Sequence, residues 1–303
     1  MHITVFGTTF VDIKGYPIDT FIPNGRNAGY IRHIHGGVGR NVAEDLAHLG
    51  LSSSLLSLTD GSALSLEVLN RLKKSGVNTD FVTASDCGMG TWMAIFDDKG
   101  DVAANISVRP QMAPLADVIR EHHREIFENT NSIIVEIDMD AQVVDCIFEY
   151  GQLYQKKIFA LVSNMGIALE RREHFPKTTC FICNLQEAEM LLEEPLESLS
   201  VEEIQKKVLK ACQEQAFQRL IVTLGERGAV FAASNGESGF CPAEKVLLKD
   251  STGAGDAFCA GASAALTLGK DLKTACAAGS KTAAAVITVT DNVCPVMDLQ
   301  ELK

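Results

Sequence analysis

Asp250-Ser251-Thr252-Gly253-Ala254-Gly255-Asp256-Ala257-Phe258 carries one carboxylate through a two-glycine turn into a run of small residues with helical character. Gly253 and Gly255 allow backbone to approach a ligand closely, and a helix starting there offers unpartnered N–H groups and the positive end of its dipole to phosphate oxygens. Asp256 in that setting would repel a phosphate, so it is poorly suited to bind one. It is well suited to take the proton from a hydroxyl attacking the γ-phosphate. From this segment alone a blander reading stands beside it: an acidic residue that stabilises the helix start by roughly 0.5 to 2 kcal/mol.

Upstream, Gly36-Gly37-Val38-Gly39-Arg40-Asn41-Val42-Ala43-Glu44-Asp45-Leu46-Ala47-His48-Leu49-Gly50 passes from a flexible loop into an amphipathic helix with Val42, Leu46 and Leu49 on one face. A dinucleotide loop is a weak reading, because the third glycine is missing at the required offset and a histidine-containing stretch precedes it. Between these segments lie Asn184-Leu185-Gln186-Glu187 and Thr223-Leu224-Gly225-Glu226-Arg227-Gly228. In this order, over nearly the whole chain, the four motifs resemble the ribokinase-like (PfkB) carbohydrate kinase family.

The resemblance implies an ATP- and Mg²⁺-dependent phosphotransferase acting on the hydroxymethyl group of a sugar or nucleoside. Asp256 is then the catalytic base, with Gly253, Ala254 and Gly255 supplying amides for the developing charge. Asn184 and Glu187 would organise Mg²⁺ and the phosphates, Glu187 through water; Thr223, Gly225 and Gly228 would let the nucleotide lie against backbone. Asp12 would bind vicinal hydroxyls, with Gly36, Gly37 and Asn41 completing the sugar cradle. Asp250 and Ser251 match a region that holds a monovalent cation in many members, which makes K⁺ activation an expectation. Each motif also has a plain structural reading: Asn184 and Glu187 as a capped helix start, Gly225 and Gly228 as turn glycines, Asp12 as a partner of turn amides. The segments Val11 to Gly15, Gly36 to Glu44 and Ala283 to Val289 look most like the pseudouridine kinase branch, which makes pseudouridine the expected acceptor and ribose, fructose or a sugar phosphate the alternatives, although Asn164-Met165-Gly166 stands where that branch often has a lysine. A phosphorylated acceptor would need basic groups around the sugar, for which Lys14, Arg32, Arg40 and Arg109 are candidates. A sugar- or nucleoside-binding regulator that no longer turns over is the alternative of another class; the intact Asp256 turn opposes it.

Composition agrees. In 303 residues, 46% hydrophobic and 22% charged describe a globular chain, and a net charge of −12 argues against nucleic-acid or anionic-membrane partners. Any phosphate must be held locally, by backbone and metal. The sequence has no membrane-spanning apolar run, and Met1-His2-Ile3-Thr4-Val5-Phe6-Gly7 reads as a strand rather than a leader, so the cytoplasm is the expected location. The nine cysteines read as small core residues; Cys180 and Cys183, three apart in a strand, point to opposite faces.

Apolar strands over Ile3 to Ile13, Ser52 to Leu58, Ser132 to Ile137, Ile158 to Val162, Cys180 to Cys183 and Leu220 to Leu224 alternate with helices over Leu64 to Lys74, Leu115 to Phe127, Gln142 to Gln155 and Val201 to Gln215. The alternation predicts an α/β fold: a doubly wound, mostly parallel sheet flanked by helices, one domain over residues 1–303. Two insertions, about 15–35 and 90–108, read as extended strands outside that sheet, the second a hairpin turning at Asp97-Asp98-Lys99-Gly100. By resemblance they form a β-sheet lid over the acceptor, through which homodimers form.

Overall fold

Successive residues of a strand face opposite sides of its sheet, so an uninterrupted apolar run needs a hydrophobic cover on both. The structure, a computed structural model, describes residues 1–298. Residues 299–303, the last of the expected 1–303 domain, lie outside the described residues. The strands are β1 (His2–Phe6), β2 (Phe10–Pro17), β3 (Gly29–Gly36), β4 (Ser52–Thr59), β5 (Val82–Ala84), β6 (Gly90–Phe96), β7 (Val102–Val108), β8 (Ser132–Glu136), β9 (Lys157–Leu161), β10 (Cys180–Asn184), β11 (Arg219–Thr223), β12 (Ala229–Ala233) and β13 (Ser238–Cys241). One sheet runs β13-β12-β11-β10-β9-β8-β1-β4-β5, and a smaller one β3-β2-β6-β7. From β5 to β11 neighbouring pairs of the large sheet are parallel; β12 and β13 join antiparallel at one edge.

The helices are α1 (Val38–His48), α2 (Ala63–Lys74), α3 (Leu115–Glu128), α4 (Ala141–Leu153), α5 (Met165–Ala168), α6 (Leu185–Leu192), α7 (Val201–Glu214), α8 (Ala254–Thr267) and α9 (Leu272–Ile287). Residues of α1, α2, α8 and α9 form the core on one face of the large sheet, and residues of α3, α4, α6 and α7 the core on the other. Strand β10 shows the division: Cys180 and Ile182 enter one core, Phe181 and Cys183 the other. Both thiols are buried and unpaired, as the strand spacing required.

Helix α9 has no amphipathic signature because its small residues are packed on several sides. Gly261 of α8 lies against Thr282 and Ala278, and Gly279 of α9 against the Phe258 carbonyl, so two helices approach where side chains would hold them apart. This pairing fixes the start of α8, and with it Asp256.

One expectation needs correction. Ile3 to Ile13 is not a single strand: β1 stops at Phe6, and β2 begins the smaller sheet at Phe10. The break is held by polar anchors and close packing. Thr8 N–H donates to Glu136 Oε2 (2.8 Å), Arg40 N–H donates to the Thr8 carbonyl (3.2 Å), and Gly7 lies against the Gly39 backbone. Asp12 therefore belongs to the lid sheet, which begins at Phe10 rather than near Gly15. The hairpin forms as read, with Asp97 Oδ1 accepting from the N–H groups of Lys99 and Asp101, both at 2.9 Å.

In the large sheet β4 and β8 flank β1, so the chain winds in opposite directions from that strand. Open parallel sheets collect ligand groups at the carboxyl ends of strands around such a switch point. Glu136, Asn184 and Thr223 are the last residues of β8, β10 and β11.

Candidate active site

Asp256 occupies the third position of α8, whose cap is Gly253 in the left-handed conformation (φ 82°). A Cβ at Gly253 would collide with the Asn292 carbonyl, so this position requires glycine twice over. The Asp256 carboxylate is not used on its own helix. Its Oδ2 accepts from Asn41 Nδ2 at 2.7 Å, across to the first turn of α1. The blander reading, an acid serving only its helix, is therefore set aside by geometry. Burial pushes the Asp256 carboxyl up to about 7, with the nearby Glu187 adding to the rise and the Asn41 bond and Arg40 charge opposing it.

The glycine turn is tied from its upstream side. Asp250 Oδ1 accepts from Thr252 N–H at 2.8 Å, a bond that holds the Asp250 carboxyl below the ordinary range, and the Ser251 carbonyl accepts from Ala254 N–H at 3.2 Å. Ala254 thus differs from the sequence expectation: its amide closes the turn. The next two amides, of Gly255 and Asp256, belong to the first turn, where an α-helix supplies no internal acceptor. A Cβ at Gly255 would meet nothing within 4 Å, so the approach to these amides is open.

The segment before α1 faces the same place. Gly37 caps α1 with φ 99°, and a Cβ there would strike the Thr8 carbonyl. A Cβ at Gly36 would lie 3.6 and 3.7 Å from the two Asp12 carboxylate oxygens, so Asp12 and the Gly36 backbone border one space. Burial raises the Asp12 pKa, and the charges of Lys14 and Arg40 partly offset it. Asn41 is buried, and its Oδ1 has no hydrogen-bond partner among the described residues. A buried acceptor without a donor costs about 1–3 kcal/mol, a cost that a ligand hydroxyl removes.

Asn184 and Glu187 form a reciprocal cap on α6. Glu187 N–H donates to Asn184 Oδ1 (2.9 Å), and Asn184 N–H donates to Glu187 Oε2 (2.7 Å). The structural reading of this motif is realised, yet it leaves a perturbed acid. The Glu187 carboxyl is pushed to about 7 by burial and by Asp138. Sequence reasoning missed two further acids at the carboxyl end of β8. Glu136 accepts from Thr8 and Ser163 and is pushed to about 7, chiefly by burial and then by Asp138. Asp138 accepts from Ser163 N–H (3.0 Å) and Oγ (2.7 Å) and pairs with Arg109 at 2.9 Å. The alternation Glu136-Ile137-Asp138 at a strand end was the available signal. Asp256, Glu187, Asp138 and Glu136 form a chain of acids in which Glu187 raises Asp256, and Asp138 raises both Glu187 and Glu136. These acids do not converge on one direct ligand set, but Mg²⁺ with retained waters needs few protein oxygens, so Glu187 can serve it through water.

Thr223 ends β11, and Gly225 (φ 60°) opens the turn into β12; a Cβ at Gly225 would meet nothing within 4 Å, whereas one at Gly228 (φ 96°) would collide with the Cys241 carbonyl. Arg227 donates to the Leu199 carbonyl at 3.1 Å, so it is a turn residue. Two of the four basic candidates for an acceptor phosphate are otherwise engaged. Arg40 is fully buried and paired with Glu44 at 2.7 Å, also donating to the His35 carbonyl; Arg109 is held by Asp138. A cavity of about 570 Å³ beside α1, bordered by Glu44, His48 and Arg71, is lined by none of the anticipated site residues.

The pfkB family carbohydrate kinase model matches residues 1–295, spanning both sheets and every motif of the cleft. This chain belongs to that family. It is a sugar or nucleoside kinase, a phosphotransferase with an alcohol as acceptor. It is 32% identical to a guanosine-inosine kinase of Exiguobacterium acetylicum over 96% of this chain and 95% of that one. It is 24% identical to a pseudouridine kinase of Escherichia coli over 86% and 82% of the two chains. Among solved structures, an Arabidopsis thaliana ribokinase complexed with ribose and ATP superposes with a TM-score of 0.84 at 18% identity, covering 99% of this chain and 97% of that one. The family's fold, a large mostly parallel sheet with a small β-sheet lid, is the fold of this chain.

Proposed function

We propose that this protein transfers the γ-phosphoryl group of ATP to the 5′-hydroxymethyl group of a ribonucleoside, with a 6-oxopurine ribonucleoside as the first candidate acceptor. The observation that carries the chemistry is Asp256: a carboxyl with a pKa near 7, beside the open helix start and oriented by Asn41. The choice of nucleoside is supported by the guanosine-inosine kinase relative and by the engagement of Arg40 and Arg109, which leaves fewer cations for a phosphorylated sugar. Pseudouridine is the second reading, supported by the 24% identical relative.

In this mechanism Asp12 accepts hydrogen bonds from vicinal ribose hydroxyls, while Gly36 and Gly37 give the ring room and Asn41 Oδ1 accepts a substrate hydroxyl. The 5′-hydroxyl lies against Asp256, which removes its proton as the oxygen attacks the γ-phosphorus and ADP leaves. The Gly255 and Asp256 amides stabilise charge on the transferring oxygens. Glu187, with Asn184, would hold Mg²⁺ through water, and the ion would supply charge neutralisation on the phosphates. Thr223, Gly225 and Gly228 border the nucleotide, and a monovalent cation is proposed near Asp250 and Ser251. Closure of the lid sheet would exclude water and limit ATP hydrolysis. The proposed location is the cytoplasm.

The test incubates the protein with ATP and Mg²⁺ and, separately, inosine, guanosine, adenosine, pseudouridine, ribose, fructose and hexose phosphates, following ADP and the phosphorylated product. ADP with inosine or guanosine as the best acceptors is expected. ADP with none, together with ligand-dependent thermal stabilisation, would replace the kinase by a binder.

A further inference from the structure

The two faces of the lid sheet have different chemistry. Paired residues in a sheet share a face, and Asp12 pairs with both Ile34 and Trp92, Lys14 with Arg32 and Ala94, and Tyr16 with Tyr30. Trp92 therefore stands beside Asp12, one strand spacing of about 4.8 Å away. On this face the rings form a continuous series. Tyr30 stacks on Tyr16 (centroids 5.2 Å apart), Tyr16 on Phe96 (4.8 Å), and Phe96 meets Trp92 edge to face (6.4 Å). Lys14 Nζ lies 5.6 Å from the Trp92 ring centre. The opposite face of the same strands presents Ile31, Met93, Ile95 and Ile106, all exposed and aliphatic. The aromatic face is the one that carries Asp12, whose carboxylate borders the Gly36 backbone at the entrance to α1 and so faces the cleft.

We infer that this aromatic face is a nucleobase platform centred on Trp92, with Lys14 selecting 6-oxopurines. The inference rests on the nucleoside kinase reading and deepens it. A ribose held by Asp12 carries its base on an adjacent ring carbon, within reach of the neighbouring strand, where a free sugar ends short. A partly buried indole beside the carboxylate that binds the sugar has a π-face for a base, and base–aromatic stacking is worth about 1–3 kcal/mol. The ammonium of Lys14 has only donors to offer. It matches the N7 and O6 acceptors of guanine and hypoxanthine, whereas the amino group of adenine places a donor against it. Stacking between the rings would stabilise the lid whether or not a ligand binds. Cations line the rings along the face, Arg32 over Tyr16 and Tyr30 as Lys14 is over Trp92; what lid stacking alone does not account for is the confinement of the rings to the face that carries Asp12.

Trp92 is the chain's one tryptophan, so intrinsic fluorescence reports on it directly. Titration of the protein with inosine is expected to shift or quench that emission, and ribose at the same concentration is expected not to. Trp92→Ala should raise the KM for inosine by about 10- to 100-fold with kcat changed far less, Trp92→Phe should restore most of the affinity, and Lys14→Met should narrow the preference for inosine over adenosine. Inosine turnover with unmoved fluorescence and a Trp92→Ala KM within twofold would overturn the platform while leaving the kinase reading intact. If no nucleoside is phosphorylated but a plain sugar is, the nucleoside reading falls, and the platform falls with it.

Discussion

The two sheets of this molecule solve different problems. The large sheet is covered on both faces: β8 is buried at every position, and β1, β10 and β11 nearly so. The lid sheet is covered only in part: no residue of β2 is exposed, whereas β7 is exposed throughout. The acids pushed as far as about 7 follow the same division, although burial also raises Asp12 in the lid. The carboxyls of Glu136, Glu187 and Asp256, pushed to about 7, all lie at the floor, where protein displaces water and acids face one another. A floor fixed by packing can hold a reacting group in one place, while a lid held mainly by strand pairing can change its surface residues at small cost to the core. On the proposed reading, the first sheet carries the chemistry and the second the choice of acceptor.

The largest effect should come from removing the base. Asp256→Asn keeps an acceptor for Asn41 and is expected to lower kcat by about 10²- to 10⁴-fold while nucleotide binding, measured by calorimetry, changes little. Near-normal turnover would detach the chemistry from the floor. Gly253→Ala should rank next. It would lose about 1–2 kcal/mol through the left-handed backbone alone, with the Asn292 collision added, so both melting temperature and kcat should fall.

The pH dependence follows from the floor's acids and has two opposite signs. Asp256 titrates near 7 in the folded protein against about 4 in an unfolded chain, so the folded state binds its proton more tightly. The base form fills as pH rises through 7, and kcat/KM is expected to climb about tenfold per unit below that point before levelling. Stability moves the other way. The raised carboxyls favour folding less and less as pH rises from about 4 to about 7, so the melting temperature of the ligand-free protein should fall over that window. Asp256→Asn should reduce the fall, and a melting temperature that instead rose from pH 5 to pH 7.5 would contradict the assignment of these shifts.

Much of the floor was legible in the sequence because burial on two faces leaves continuous apolar runs, and glycines beside Asp256 and Asn41 mark turns that few other residues can make. The lid was less so. Ile3 to Ile13 reads as one strand, since nothing local reveals that Gly7 must pack on Gly39 or that Thr8 must anchor Glu136. Helix α9 lacks an amphipathic pattern because small residues line its several packed sides, and Asn292, which backs the glycine turn, is distant in sequence from the motif it supports. Arg40 and Arg109 look like phosphate binders in one dimension and are structural cations in three. Close packing and ion pairing between distant segments leave no periodicity to read.

The smallest effect on chemistry should come from the outer side of the lid, and that is its value as a test. Ile106 is 68% exposed, and Ile31, Met93 and Ile95 extend its apolar surface away from the cleft. A second copy of the chain is the occupant proposed for this surface, in keeping with the homodimer expected from sequence. Ile106→Lys adds a charge where association would bury one, so it should shift sedimentation or light scattering toward the monomer. Turnover per chain should change by no more than about threefold, because the substituted side chain points away from Asp12 and Trp92 on the opposite face of β7 and its neighbours. A loss of turnover as large as that of Asp256→Asn would mean that assembly shapes the catalytic floor, and the division of labour between the two sheets would have to be abandoned.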